Sequence, residues 1–231
     1  MSSDGNSAMP VRLSTSDWSE KNRLALLHDV YGAFLRCDIE PVDRELLEFT
    51  ASMRSLPGLG ILTVGSSALR VRRTPAQVEP DHLFLNINLA GSREMFLRGR
   101  EAMFGEGEAL LMSGELGGAS VPQGARFMTL KMPVEAIQLL VPDFGDRLVR
   151  PIPRETEALQ LLSSYLGTLN KAEMLAKPDL QRIVATHVHD LTALALGATR
   201  DATEQARIRG VRAARLQAIK ADIVANLSSN V

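Results

Sequence analysis

HLFLNINLAGSREMFLRGREAMFGEGEALLMSGELGGASVPQGARFMTLKMP, residues 82–133, decides the fold. Short apolar runs alternate here with turn signals at Ala90-Gly91, Gly99-Arg100, Gly105-Glu106-Gly107, Gly117-Gly118 and Gln123-Gly124. A turn signal about every eight to twelve residues predicts an antiparallel barrel or sandwich, not a parallel sheet with crossover helices. Leu83, Leu85, Ile87 and Leu89 alternate with Phe84, Asn86 and Asn88, which predicts a central strand with both asparagines on one side. Hairpins are expected over 93–104 and 109–113, and a last strand over 126–132.

Working outward, residues 47–54 also alternate, with Leu47, Phe49, Ala51 and Met53 on one face and Glu48, Thr50, Ser52 and Arg54 on the other. Leu56-Pro57-Gly58 turns the chain into an apolar strand over 61–64. After Gly65, a short Leu69/Val71 strand carries Arg70, Arg72 and Arg73 outward, and 74–80 with its prolines is a loop. The total is about seven to nine strands, enough to close a small barrel. Before these strands, Asp17 and Glu20 have capping-box spacing, and Trp18, Leu24, Leu27, Tyr31 and Phe34 recur at helical intervals, so a helix is expected over 17–34.

Beyond Pro133 the period becomes helical. Helices are expected over 134–140, 156–170, 179–197 and 211–227. Leu180, Val184, His187, Leu191, Leu194 and Ala198 step by four and three, the pattern of a helix-pair seam. Its partner is either the 156–170 helix or a second subunit, and a mixture including a dimer fits the stripe best. The stripe Leu216, Ile219, Ile223 and Leu227 arrives with no later element to cover it, which suggests that the chain is cut short.

Of 231 residues, 45% are apolar and 23% charged, as in ordinary globular proteins. A net charge of −1 argues against a nucleic-acid binder over the whole surface. Basic residues do gather at Arg200, Arg207, Arg209, Arg212, Arg215 and Lys220, against Asp201 and Glu204. That is either a solvated helix face or a segment held near a polyanion. No apolar run is long enough to span a membrane, and residues 1–13 have the Ser/Gly/Asn character of a mobile arm, not of a secretory signal. The single cysteine, Cys37, fits a reducing cytoplasm.

Residues able to carry chemistry are few. A metal-binding barrel of this shape needs two histidines one residue apart on a strand, with a carboxylate and a third histidine. Of His28, His82, His187 and His189, only His82 falls in the barrel. Asp38 and Glu40 beside Cys37 would raise its thiol pKa, so it reads as a buried or inert thiol. No phosphate loop, dinucleotide fingerprint or nucleophile elbow occurs, and Gly105-Glu106-Gly107 and Gly117-Gly118 read as hairpin turns. What remains is a pocket. Met95, Met103, Met112 and Met128 lie on the strands, where thioethers fill gaps or line adaptable cavities. Phe49, Met53, Asn86, Met112 and Met128 are the expected ligand contacts, with Leu180, Val184, His187, Leu191 and Leu194 the expected dimerisation seam.

Several blocks in order, VYGAFLRCDIEP (30–41), RSLPGLGIL (54–62), LFLNINLAG (83–91), RGREAMFGEGEALLMS (98–113), LVRPIPRETEALQLL (148–162) and THVHDLTALALGATRDA (186–202), resemble the N-terminal regions of AraC/XylS-type transcription regulators. The resemblance covers about residues 20–231. It implies an α+β chain: an N-terminal helix, an antiparallel cupin-like jelly-roll barrel that senses an effector, and a C-terminal helical dimerisation segment. Residues 1–16 would then be a flexible arm, 17–142 the barrel with its helix, and 143–202 the dimerisation segment. Residues 203–231 would be a linker and the first helix of an otherwise missing helix-turn-helix domain. The expected partners are a second copy of the chain, a small-molecule effector, and DNA only through that missing domain; no cofactor, no metal and no membrane are expected, and the location is cytoplasmic. Two other readings compete. Gly114-Glu115-Leu116-Gly117 resembles part of the phosphate cassette of cyclic-nucleotide sensors, and a cupin barrel can house a metal-dependent enzyme.

Overall fold

The computed structural model describes residues 10–43, 47–115, 117–171 and 177–198. In chain order these form β1 (Val11–Ser14), α1 (Glu20–Leu35), β2 (Asp38–Pro41), β3 (Phe49–Leu56), β4 (Leu59–Ser66), β5 (Leu69–Arg72) and β6 (Glu79–Ala90). Then come β7 (Arg93–Leu97), β8 (Arg100–Phe104), β9 (Ala109–Gly114), β10 (Gly117–Val121), β11 (Ala125–Pro133) and α2 (Val134–Gln138). The last are β12 (Pro151–Ile152), α3 (Glu157–Lys171) and α4 (Pro178–Ala195).

The strands make two sheets, one in the order β1-β3-β4-β11-β6-β9-β12 and one in the order β2-β5-β10-β7-β8, with antiparallel ladders throughout. Turn chemistry fixes the two tight hairpins. Pro57-Gly58 joins β3 to β4, with Gly58 at φ +70°. Arg98-Gly99 joins β7 to β8, both residues with positive φ, the backbone of a type I′ hairpin turn.

The inner faces of the sheets meet over a core that includes Phe49, Leu62, Phe84 and Phe127 from one sheet and Ile39, Leu69, Leu97 and Phe104 from the other. The outer face of the seven-stranded sheet is buried as well. Leu83, Leu85, Ile87, Leu111, Leu130 and Met132 pack there against Ile137 of α2, Leu159, Leu162 and Leu166 of α3, and Val184, Val188 and Leu191 of α4. Each such leucine contributes about 1.5–3 kcal/mol relative to exposure. Two antiparallel sheets packed face to face, with helices over the outer face of one, make the architecture α+β, as the resemblance implied.

Several elements differ from expectation. Residues 11–14, expected in the arm, form β1 and pair with β3 from Val11↔Met53 to Ser14↔Thr50; residues 1–9 lie outside the described residues. Asp17 belongs to a short 3-10 turn capped by Ser14, and α1 begins at Glu20 behind Ser19. Gly117-Gly118 is not a turn but the start of β10. The Phe96 ring lies where a Cβ on Gly118 would sit, 2.5 Å away, so this strand is glycine because its neighbours crowd it. Gly105–Glu108 turns the chain from the five-stranded to the seven-stranded sheet, so it is no hairpin. The expected helix over 211–227, the basic cluster and the linker 203–231 lie outside the described residues. Among the described residues no helix is long and apolar enough to cross a membrane.

Candidate ligand cavity in the barrel

Strand alternation aims Phe84 and Asn86 of β6 and Thr129 of β11 inward, opposite the faces that carry Leu85 and Leu130 under the helices. Thr129 and Asn86 are direct cross-strand partners, and the Thr129 hydroxyl donates to Asn86 Oδ1 at 3.0 Å. Asn86 Nδ2 donates to the Phe84 carbonyl at 3.2 Å. Both polar side chains are almost wholly buried, at 4% and 2% exposure. They line a cavity of about 60 Å³ whose other walls are chiefly apolar: Leu35, Val71, Phe84, Met95, Met112 and Ala119, with Cys37 and Gly117–Gly118. That is room for one or two waters and less than a drug-sized ligand occupies.

Arg73 stands at one side of this cavity. Its Nη2 donates to the Leu35 carbonyl at 2.8 Å, Nε to that of Arg36 at 3.3 Å, and Nη1 to that of Glu115 at 3.3 Å. The guanidinium therefore caps the C-terminus of α1, where a cation complements the helix dipole. It also lies over the Phe84 ring, 4.7 Å from the centroid. Burial lowers its pKa, partly offset by Cys37 and Glu79. Arg73, Val71, Gly117 and Ala119 also line a solvent-filled groove of about 680 Å³ on the outside, together with Arg70, Arg72, Arg98, Phe96, Asp38 and Glu40. Burial pushes the Cys37 thiol up to about 12, with Arg73 opposing and Asp38 and Glu79 adding to the rise. A buried or inert thiol was expected; Cys37 is buried, and burial raises its pKa more than the acidic neighbours do.

The structure brings together Asn86 and Met112 of the five expected ligand contacts. Phe49 lies in the same inner core, 1% exposed, with its backbone N–H held by Thr15 Oγ1 at 3.0 Å, and Met53 packs at that core's margin; neither lines the cavity. Met128 does not line this cavity: it is on the opposite face of β11, in the core beneath the helices. Arg73, expected to point outward with Arg70 and Arg72, lines the cavity instead; Met95, one of the four strand methionines, lines it too, and Thr129 and Phe84 were not among the expected contacts. Arg73 had a signal, because odd positions from Leu69 through Val71 face inward and Arg73 continues that series.

The expected dimer seam divides. Val184 and Leu191, at 4% and 0% exposure, are buried within the chain. Leu194 is half-buried against the same core, and His187 is half-buried with its Nδ1 3.3 Å from the Tyr165 hydroxyl of α3. Leu180 stays exposed, at 44%, beside Ile183 at 50%. Glu115 is ion-paired to Arg98 and β10 begins at Gly117, so among the described residues no short helix presents its N-terminus there as the cyclic-nucleotide cassette requires. Among the described residues no three His, Cys, Asp or Glu side chains gather as metal ligands.

Among solved structures, the AraC-like transcriptional activator CuxR superposes with a TM-score of 0.66 at 15% identity, covering 82% of this chain and 70% of that one; at this identity the likeness is one of fold. The Cupin_2 domain of an XRE family regulator from Enterobacter cloacae (TM-score 0.29, 14% identity, 42% of this chain and 95% of that one) overlaps a smaller part. KdgF from Halomonas sp. does likewise (TM-score 0.31, 14% identity, 42% and 87%). No curated protein matches the chain in sequence. The family model of the AraC-binding-like domain matches residues 27–197, from α1 to just past the end of α4, and the chain therefore belongs to that family.

Proposed function

We propose that the chain is the effector-binding part of an AraC-type transcription regulator and that its effector is a small molecule taken into the barrel cavity. The observation that carries this reading is the Asn86–Thr129 pair, buried in a cavity that is otherwise mostly apolar. Burying an amide and a hydroxyl costs free energy that an apolar pair would avoid. Asn86 uses one of its two amide hydrogens, and the Thr129 oxygen keeps acceptor capacity. Those remaining groups can read a ligand.

Transmission needs little distance. β6, β9 and β11 carry cavity residues on one face and the residues beneath α3 and α4 on the other. A ligand that shifts these strands acts on the helices through one thickness of sheet, with no bond made or broken. The exposed Leu180 and Ile183 of α4 are the surface through which two copies would pair. DNA contact would belong to the helix-turn-helix domain that the family resemblance implies, and the working location would be the cytoplasm.

The test is a thermal-shift screen of sugars, aromatic acids and nucleotides against the chain, since a ligand at about 100 times its Kd stabilises by about 2.7 kcal/mol. A true effector raises the Tm of the wild type and loses that effect with Ala119→Leu, which fills the cavity. A ligand that stabilises both proteins equally binds elsewhere and removes the reading.

A further inference from the structure

Resting on that reading of the cavity, we propose that the ligand is a small organic anion: a carboxylate with a short apolar body, its charged end at Arg73 and a polar group at its far end on Asn86 and Thr129. Among the described residues, Arg73 donates hydrogen bonds to three neutral backbone carbonyls and to no carboxylate. Among the described residues no carboxylate lies within ion-pair distance of it; its neighbour Glu79 is taken by Lys131 at 2.8 Å. Three of the five guanidinium N–H donors are used, which leaves two for a ligand. A cation half withdrawn from water without an anionic partner favours an incoming anion, and arginine matches the planar carboxylate.

The surroundings agree. The outer groove that shares Arg73 with the cavity carries Arg70, Arg72 and Arg73, and Arg98 paired with Glu115, against Asp38 and Glu40, a modest positive excess that favours anions. Between Arg73 and the Asn86–Thr129 pair the walls are apolar. Methionines 95 and 112, unbranched and adaptable, are the side chains able to retreat as the 60 Å³ space enlarges.

Calorimetric titration of the 231-residue chain with hexanoate and 3-phenylpropanoate, each against its primary amide, tests this. Each acid is expected to bind about tenfold or more tightly than its amide. Arg73→Gln, which can still donate to a carbonyl of α1, removes that preference, and Arg73→Lys retains it. 6-Hydroxyhexanoate should lose affinity in Thr129→Val while hexanoate does not. Equal binding of acid and amide, an acid preference surviving in Arg73→Gln, or no binding by either acid at millimolar concentration overturns the proposal. A neutral molecule that stabilises the wild type but not Ala119→Leu would overturn it while leaving the effector reading intact. Ligands that ignore Ala119→Leu would end both.

Discussion

A charged side chain inside a β-barrel must be held on several sides, and Arg93 shows how. It is 3% exposed, with its guanidinium 3.9 Å from the Phe127 centroid and 5.2 Å from that of Phe104. Its Nε donates to Asn88 Oδ1 at 2.6 Å, and Asn88 Nδ2 donates to the Phe104 carbonyl at 2.7 Å. Asn86 and Asn88 thus share the inner face of β6, as their spacing implied, but Asn88 belongs to a structural clamp and only Asn86 reaches the cavity. Arg93→Ala should cost about 3 kcal/mol, the sum of a void and an unsatisfied amide, and Arg93→Met about half that, because volume is kept. Urea unfolding of both variants checks the ordering. Cys37 offers a second measurement. With its pKa pushed up to about 12, the thiol should alkylate with iodoacetamide at pH 8 far more slowly in the native protein than in denaturant. Comparable rates would mean that the wall between α1 and β2 opens readily.

At the scale of elements, α4 is fastened to the barrel by His189. Its Nε2 donates to the Gly58 carbonyl at 3.0 Å, tying the helix to the β3–β4 hairpin. Burial lowers the pKa of His189, with the Gly58 contact opposing, and burial lowers that of His187 as well. The unfolded chain therefore takes up these protons at higher pH than the folded one. Stability from the neutral rings is present above their ordinary value of 6.5 and is lost as pH falls through their lower folded values. The Tm should hold steady above pH 7 and fall below pH 6.5, and the double replacement of His187 and His189 by Gln should flatten that fall. An equal fall in the double variant would place the acid sensitivity elsewhere. Leu180→Asp with Ile183→Asp is the matching test of the outer face of α4: a dimer in sedimentation should become a folded monomer. Leu191→Asp should unfold the protein instead, because that side chain is inside.

These elements also show what the sequence could tell. The alternation of 83–89 revealed a strand and the helical steps of 156–170 and 179–197 revealed two helices, since each period follows from backbone geometry. Which face of the strand looks into the barrel was not legible, because both faces are buried and apolar residues lie on each. For the same reason Met128 looked like a pocket residue. β2, with Asp38, Glu40 and Pro41 around one buried Ile39, and β10, opening on two glycines, lack the composition of strands and exist through their neighbours. Asn86 and Met112 were within reach of the sequence, whereas Thr129 depended on the β6–β11 register, which only long-range pairing sets.

For the whole molecule, the boundary near residue 142 between barrel and helices marks a change of period, not of packing. One continuous core runs from the seven-stranded sheet through α2 to α3 and α4. Shared burial on that scale makes the two parts fold as one cooperative unit, since neither can lose the other without exposing its apolar face. Denaturation should accordingly give one transition, with far-UV circular dichroism and near-UV tertiary signal coincident in urea. A chain ended at residue 142 should not fold to a soluble barrel, because Leu83, Leu85, Ile87, Leu111, Leu130 and Met132 would form a bare apolar surface on a sheet. A soluble, cooperatively folded 1–142 fragment would show that the helices merely sit on the sheet. The coupling proposed between cavity and helices would then lose its physical basis, since strands that are stable alone need not move what lies on top of them.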